Sequence, residues 1–173
     1  KYFSENHLLI IGINSMSVNE GINNYYNSFS IYDHNLKLIN SYNKINLVPF
    51  GEFLPFETLL EKIGLKTITN NYQSFSEGNK RNIIKIKIDN FSLSILPLIC
   101  YEIIYSGKIF NNQDFDIIIN ISEDGWFGKS IGPKQHFDHS ILRAIESGKY
   151  ILRSSNNGIA AIINPIGIVE QSV

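Results

Sequence analysis

Leu96-Pro97-Leu98-Ile99-Cys100-Tyr101-Glu102 carries the only cysteine of the 173 residues to the end of an apolar run, and the way this stretch is read decides the fold. Upstream, Phe91-Ser92-Leu93-Ser94-Ile95-Leu96 alternates apolar and small polar residues as a half-buried strand does, and Tyr101 to Tyr105 can begin a helical turn. A strand-to-helix corner then presents Cys100. Such a corner lifts a side chain clear of a sheet and aims the following backbone N–H groups at whatever the sulfur attacks, the geometry of nucleophilic catalysis with an oxyanion hole. Taken alone, a single Cys in an apolar run reads more simply as a small buried hydrophobe, so other stretches must decide.

Working outward, residues 82–88 alternate strictly, with Ile84, Ile86 and Ile88 opposite Lys85 and Lys87, and Asp89-Asn90 turns this strand into the one before Cys100. Residues 115–121 form a second buried-strand run, and Gly132-Pro133 opens a helix whose inner stripe is Phe137, Ile141, Ala144, Ile145 and Gly148. Residues 150–154 and 159–163 are further strands around the turn-prone Ser155-Asn156-Asn157-Gly158, and Asn164-Pro165-Ile166-Gly167 turns towards Ile168-Val169. Towards the start, residues 7–14 (HLLIIGIN) read as a strand buried on both faces and 15–24 as a polar loop. Residues 25–32 and 36–42 form a hairpin joined by Asp33-His34-Asn35. Two prolines and a glycine among apolar residues make 46–55 a packed loop, 57–63 has the spacing of a short helix, and 66–81 reads as a long surface loop holding Tyr72 and Phe75. Strands outnumber helices, and buried runs are mixed with alternating hairpins. That mixture favours an α/β sandwich with helices covering sheets over an all-parallel doubly wound fold.

With 43% hydrophobic residues the chain supports one domain with a sizeable core, and not two. A net charge of -1, with basic and acidic residues scattered, leaves no electrostatic footprint for nucleic acid or an anionic membrane surface. One cysteine excludes an intramolecular disulfide, and Cys and His never cluster at metal-ligand spacing, so neither metal nor cofactor is expected. No apolar run reaches the roughly 20 residues needed to span a bilayer, and the first residues lack the features of a signal peptide, so the chain reads as soluble.

A cysteine nucleophile needs a base, groups to hold an oxyanion, and something to orient both. Lys44 ends a strand just before the proline-rich loop and would stabilise a developing oxyanion; the alternative is a solvated lysine. Glu52, inside the apolar loop, would pair with Lys44 or serve as a loop carboxylate accepting backbone N–H bonds. Glu102 would cap the turn or join the network, supporting rather than transferring protons. Trp126 and Phe127, flanked by glycines, are either core aromatics or an exposed loop lining a pocket. His136 and His139 read as surface or capping groups, with no arrangement pairing either with Cys100.

Residues 44–52 (KINLVPFGE), 99–102 (ICYE), 120–128 (NISEDGWFG) and 153–158 (RSSNNG), in that order and spacing, closely resemble the nitrilase-like, carbon-nitrogen hydrolase domain of bacterial apolipoprotein N-acyltransferases, over roughly Leu8 to Val169. The resemblance implies a nitrilase-superfamily α-β-β-α sandwich and a Glu-Lys-Cys set in which Cys100 is the nucleophile, Lys44 the lysine and Glu52 a second, supporting glutamate. Tyr101, through its backbone N–H, Glu102, Trp126 and Phe127 would support the site or bind substrate. In that family the cysteine takes an acyl chain from a membrane phospholipid as a thioester and passes it to the N-terminal amine of a diacylglyceryl apolipoprotein. The family's place is the bacterial inner membrane, with the catalytic domain facing the periplasm. Three departures stand out. No glutamate occupies the family's general-base motif upstream of residues 7–14, the membrane segments are absent, and Glu123 stands where the family usually has Asn. The expectation is therefore a partial catalytic domain over residues 1–173, lacking the first strand region and inactive by itself. The alternatives are a soluble amidase of the same superfamily, or an inactive remnant that only binds lipid or a partner.

Overall fold

The computed structural model describes residues 4–56, 74–88, 90–107, 109 and 114–173. The helix expected over 57–63 and Tyr72 lie outside them. The chain first folds into a three-stranded antiparallel sheet of β1 (Leu9–Asn19), β2 (Ile22–Tyr32) and β3 (Leu38–Asn43), in that order. The stretch 15–24, expected as a loop, instead extends the first hairpin, with Asn19 opposite Ile22 around Glu20-Gly21. Both turn residues have positive φ, 50° and 80°, as a tight two-residue hairpin turn requires. The strand was hidden because its apolar residues, Met16 and Val18, are themselves exposed (56% and 60%), so composition there gives no burial signal. β1 is likewise not buried on both faces: it lies at the edge of its sheet and is only half-buried from Leu9 to Ile11. The hairpin expected between 25–32 and 36–42 is present as β2 and β3, and Asp33 Oδ1 shapes its turn by accepting from the Asn35 and Lys37 amides.

A six-stranded sheet follows in the order β4 (Ile84–Ile88), β5 (Phe91–Ile99), β6 (Ile117–Glu123), β7 (Tyr150–Asn156), β8 (Ala161–Ile163) and β9 (Val169–Ser172). β5, β6 and β7 run parallel and the flanking pairs antiparallel. The parallel centre is covered on both faces, which is why its strands read as continuous apolar runs. On one side Leu96, Leu98, Ile118 and Ile151 pack with Phe137 and Ala144 of the helix α1 (Gly132–Ser147). On the other, Ile95, Ile99, Ile119 and Ile121 pack with Phe29, Ile31 and Tyr42 of the first sheet. Among the described residues the layers therefore run α–β–β. The inner stripe of α1 differs from expectation at two points, Ile145, which is 53% exposed, and Gly148, which is exposed just beyond the helix, while His136, Ser140 and Arg143 are buried. The helix is rolled to bring these polar groups inside, where a buried network meets them. Gly148, with φ 63°, ends the helix by donating its N–H to the Ala144 carbonyl.

Candidate active site

The carboxyl ends of the parallel strands β5, β6 and β7 lead directly into Cys100, Asp124 and Asn157-Gly158, so three turns meet at one end of the sheet. Cys100 begins a 3-10 turn, Cys100–Ile104, and adopts φ 48°. A left-handed backbone costs a side-chain-bearing residue roughly 1–2 kcal/mol, so neighbouring contacts must hold it. Two contacts flank the position: Glu102 Oε2 accepts from the Ile99 amide at 2.9 Å, and His136 Nε2 lies 3.2 Å from the Cys100 carbonyl oxygen. The thiol is half-buried and points at the Glu123 carbonyl oxygen, 4.0 Å away.

Glu102 is fully buried and reaches well beyond its own turn. Its Oε1 accepts from Tyr42 Oη (2.6 Å), the Ile45 and Asn46 amides (3.1 and 3.2 Å) and Arg81 Nη2 (2.5 Å). One carboxylate thus bonds both the residue before Cys100 and the two residues after Lys44, fixing those segments to each other. The Arg81 guanidinium also donates to Tyr42 Oη and Asn46 Oδ1. Burial and the adjacent Glu102 charge push the Tyr42 phenol far above its usual range, so it is a neutral donor here. For Arg81, burial disfavours the charge but Glu102 outweighs it, and its pKa is raised.

Lys44 is 1% exposed, and its Nζ meets Glu52 Oε2 at 2.6 Å. The solvated-lysine alternative is thereby excluded. Glu52 also accepts from the Val48 amide (2.8 Å) and Asn27 Nδ2 (2.7 Å), so the packed loop closes back on its own start and on β2. The Lys44 backbone is pinned as well, donating to the Asn27 carbonyl and accepting from the Gly78 amide, both at 2.9 Å. Gly78 is required there, since a Cβ would stand 2.2 Å from the Asn43 carbonyl oxygen. A buried ammonium paired with a carboxylate is a cation held in place, suited to meeting negative charge that develops beside it.

Behind Cys100 lies a second buried cluster that the sequence reading missed. His136, expected at the surface, is 4% exposed. Its Nδ1 lies 2.8 Å from Asp124 Oδ1, and Arg153 Nη2 bonds Asp124 Oδ2 at 2.7 Å. Arg153 further donates to Asn120 Oδ1 and the Ile159 carbonyl, and Ser122 and Ser155 donate to Asp124. Burial by itself would raise the Asp124 carboxyl, but the bonds from His136 and Ser122 and the Arg153 charge hold it far below the usual carboxylate range. Burial likewise pulls the Arg153 pKa down, against the raising effect of Asp124. One signal in the sequence pointed here. Ile151 and Arg153 share the inward face of β7, and an arginine at an inward position demands a buried partner.

Glu123 faces the thiol with its backbone carbonyl, and its carboxylate is engaged by the neighbouring turns. That group is bonded by the Gly125 amide (2.7 Å), Asn156 Nδ2 (2.5 Å) and Asn157 Nδ2, chiefly the first of which lowers its pKa. It ties the β6 and β7 turns together. Trp126 is 76% exposed, whereas Phe127 is 39% exposed, with its ring 5.5 Å from that of His136. Gly132 leaves room for Phe127: a Cβ there would lie 2.5 Å from its ring. The Tyr101 ring stacks edge-on against Tyr105 at 5.5 Å, and its backbone amide, second in the turn, is among the N–H groups that have no partner within it. Among the described residues no group of three or more His, Cys, Asp or Glu is placed to hold a metal, and no helix is long and apolar enough to cross a membrane.

Known proteins share both sequence and architecture with this chain. It is 42% identical over 149 residues to an apolipoprotein N-acyltransferase of Bradyrhizobium diazoefficiens, covering 86% of this chain and 27% of that protein. To the enzyme of the same name from Wigglesworthia glossinidia brevipalpis it is 45% identical over 177 residues, covering 95% and 33%. The chain thus spans about a third or less of the length of these curated relatives. Among solved structures, a carbon-nitrogen hydrolase from Helicobacter pylori superposes with a TM-score of 0.69 at 13% identity, covering 97% of this chain and 58% of that one. An amidase from Nesterenkonia, caught with an acetamide moiety added covalently at its active-site cysteine, superposes with a TM-score of 0.63 at 13% identity, covering 97% and 57%. Those likenesses show a shared fold. Because the carbon-nitrogen hydrolase family model matches continuously from residue 4 to residue 171, through every turn that builds the site, the chain belongs to the carbon-nitrogen hydrolase family.

Proposed function

We propose that this chain is the cysteine-bearing part of a lipoprotein N-acyltransferase, and that Cys100 carries the acyl group between donor and acceptor. The observation that carries the reading is the Glu102 carboxylate, which locks the Cys100 turn to the segment holding the buried Lys44–Glu52 pair. The identities of 42% and 45% to proteins named apolipoprotein N-acyltransferase favour acyl transfer over amide hydrolysis. In the first half-reaction the Cys100 thiolate attacks the ester carbonyl of a membrane phospholipid. The C–S bond forms as the carbonyl π pair moves onto oxygen, and Lys44 Nζ and the Tyr101 N–H stabilise that oxyanion. Collapse breaks the C–O bond, and the departing lysophospholipid oxygen takes up the proton lost by the thiol, carried by a general-base glutamate that the family resemblance places N-terminal to β1. In the second half-reaction the N-terminal amine of a diacylglyceryl apolipoprotein attacks the thioester. The C–N bond forms, the C–S bond breaks, and the amine proton passes through the same base to the departing Cys100 sulfur, restoring the thiol. Glu52 holds Lys44 in place, and Trp126 and Phe127 present an apolar surface to the lipid. The site works at the bacterial inner membrane, on the periplasmic side.

The test is acyl transfer by the whole gene product. Incubation with phospholipid should add one acyl mass to the peptide containing Cys100, and a diacylglyceryl peptide should then remove it. A Cys100→Ala protein that still transfers acyl groups overturns the proposal. Acyl release to water with none reaching the amine would instead make the protein an amidase-type hydrolase.

A further inference from the structure

The buried cluster behind Cys100 touches the reaction at one atom, the Cys100 carbonyl oxygen, which lies 3.2 Å from His136 Nε2. That carbonyl belongs to the same peptide unit as the Tyr101 N–H, the group assigned above to the oxyanion. We propose that His136 is a positioning residue that donates through Nε2–H to the Cys100 carbonyl and thereby both holds the left-handed Cys100 backbone and strengthens the Tyr101 N–H as an oxyanion donor; this rests on the acyl-transfer reading above.

The geometry supports each link. His136 is fixed from the far side by Asp124, whose carboxylate faces Nδ1 at 2.8 Å and is itself oriented by Arg153, Ser122 and Ser155. The Cys100 carbonyl at Nε2 can only accept, so the hydrogen of that contact is on Nε2, while Nδ1 is held between Asp124 Oδ1 at 2.8 Å and Arg153 Nη2 at 3.2 Å. The ring is fully engaged and cannot turn away, and Phe127 packs against it. A peptide carbonyl that accepts a hydrogen bond is polarised, and its own N–H becomes a stronger donor. Such chains strengthen each bond by perhaps 10–30%. The 3-10 turn leaves the Tyr101 N–H among the first amides with no ladder partner, and φ 48° at Cys100 sets the direction of that peptide plane. If an oxyanion donor is worth about 10²–10³ in rate, 10–30% of its effect corresponds to roughly 2–8-fold.

Two substitutions separate the two ring nitrogens. Gln places its amide nitrogen where Nε2 stands and keeps a donor for Cys100. Asn places its amide nitrogen near Nδ1, keeping the Asp124 bond and losing the Cys100 bond. In the whole gene product, the rate of Cys100 acylation by a p-nitrophenyl fatty acyl ester in a single turnover should fall roughly 2–8-fold or more in His136→Asn. His136→Gln should stay within about threefold of the parent. KM should hold in both, because the oxyanion exists only in the transition state. Alkylation of Cys100 by iodoacetamide, which forms no oxyanion at a carbonyl, should be unchanged. Equal acylation by His136→Asn and the parent overturns the proposal, as does a parallel fall in alkylation, which would mean that the ring merely places the thiol. Should His136→Asn fail to fold, the unsubstituted protein decides. With ¹³C at the Cys100 carbonyl its amide band should lie below that of a free carbonyl, and a band at the free position overturns the proposal. Failure of the acyl-transfer reading looks different, because Cys100→Ala would then retain transfer whatever His136 does.

Discussion

Replacing Glu102 by Ala would remove the acceptor of five donors at once: Tyr42 Oη, the Ile45, Asn46 and Ile99 amides, and Arg81 Nη2. The largest cost comes from Arg81, 6% exposed, whose charge would be left without its carboxylate. Breaking a buried pair from one side costs about 3–5 kcal/mol. Each orphaned amide or hydroxyl adds up to about 1–3 kcal/mol, but the space vacated by the carboxylate admits water to some of them, so these do not sum. A loss of about 4–6 kcal/mol is expected, a large share of the roughly 5–15 kcal/mol that holds a domain together. Pulse proteolysis across a urea series would measure it. Adding Arg81→Met to Glu102→Ala removes the stranded charge and should restore about 1–3 kcal/mol. The reasoning fails if Glu102→Ala costs less than about 1 kcal/mol, or if Arg81→Met adds its own full cost on top.

Other perturbations test neighbouring links. Lys44→Met should lower kcat for acyl transfer by about 10²–10³ and also destabilise the protein, because Glu52 loses its buried cationic partner and is left, among the described residues, with its bonds to Val48 and Asn27; unchanged turnover in a folded variant would remove the role given to Lys44. Gly158→Ala should cost roughly 1–3 kcal/mol, since its Cβ would stand 2.2 Å from Asp124 Oδ2 and 2.4 Å from Ser155 Oγ; an unshifted Tm would show that the cluster yields freely. Asp124 has a folded pKa far below its unfolded one. The stability it lends is therefore whole above about pH 4 and is lost as pH falls further, so the fall of Tm below about pH 4 should be shallower in Asp124→Asn than in the parent; equal acid limbs would remove this role.

The parallel centre of the six-stranded sheet was legible because its apolar residues face two packed layers, and Cys100, Lys44 and Glu52 were legible because each stands in a short local motif. Local wording also suggested the Lys44–Glu52 pair, eight residues apart. What escaped was set by distance along the chain. Arg81 meets Glu102, and Asp124 meets His136 and Arg153, only after the sheet has brought their turns together. His136 lies one residue before Phe137 on α1, and neither position announces which of the two faces a carboxylate. The hairpin tip of β1 and β2 escaped for the opposite reason. It packs against too little for burial to leave a pattern, and its turn residues, Glu20-Gly21, were the available sign.

The left-handed backbone at Cys100 sets activity against durability at a single residue. Glycine alone adopts φ 48° freely, so Cys100→Gly would relieve roughly 1–2 kcal/mol of conformational cost while forfeiting only the contacts of a small, half-buried thiol. The fold would then tolerate, or even gain from, the one change that removes its proposed nucleophile. A copy of this protein released from the need to react would have no structural reason to keep its cysteine, whereas the glutamate two residues on would still be demanded by the fold. Persistence of Glu102 therefore says little about activity, and persistence of Cys100 says a great deal.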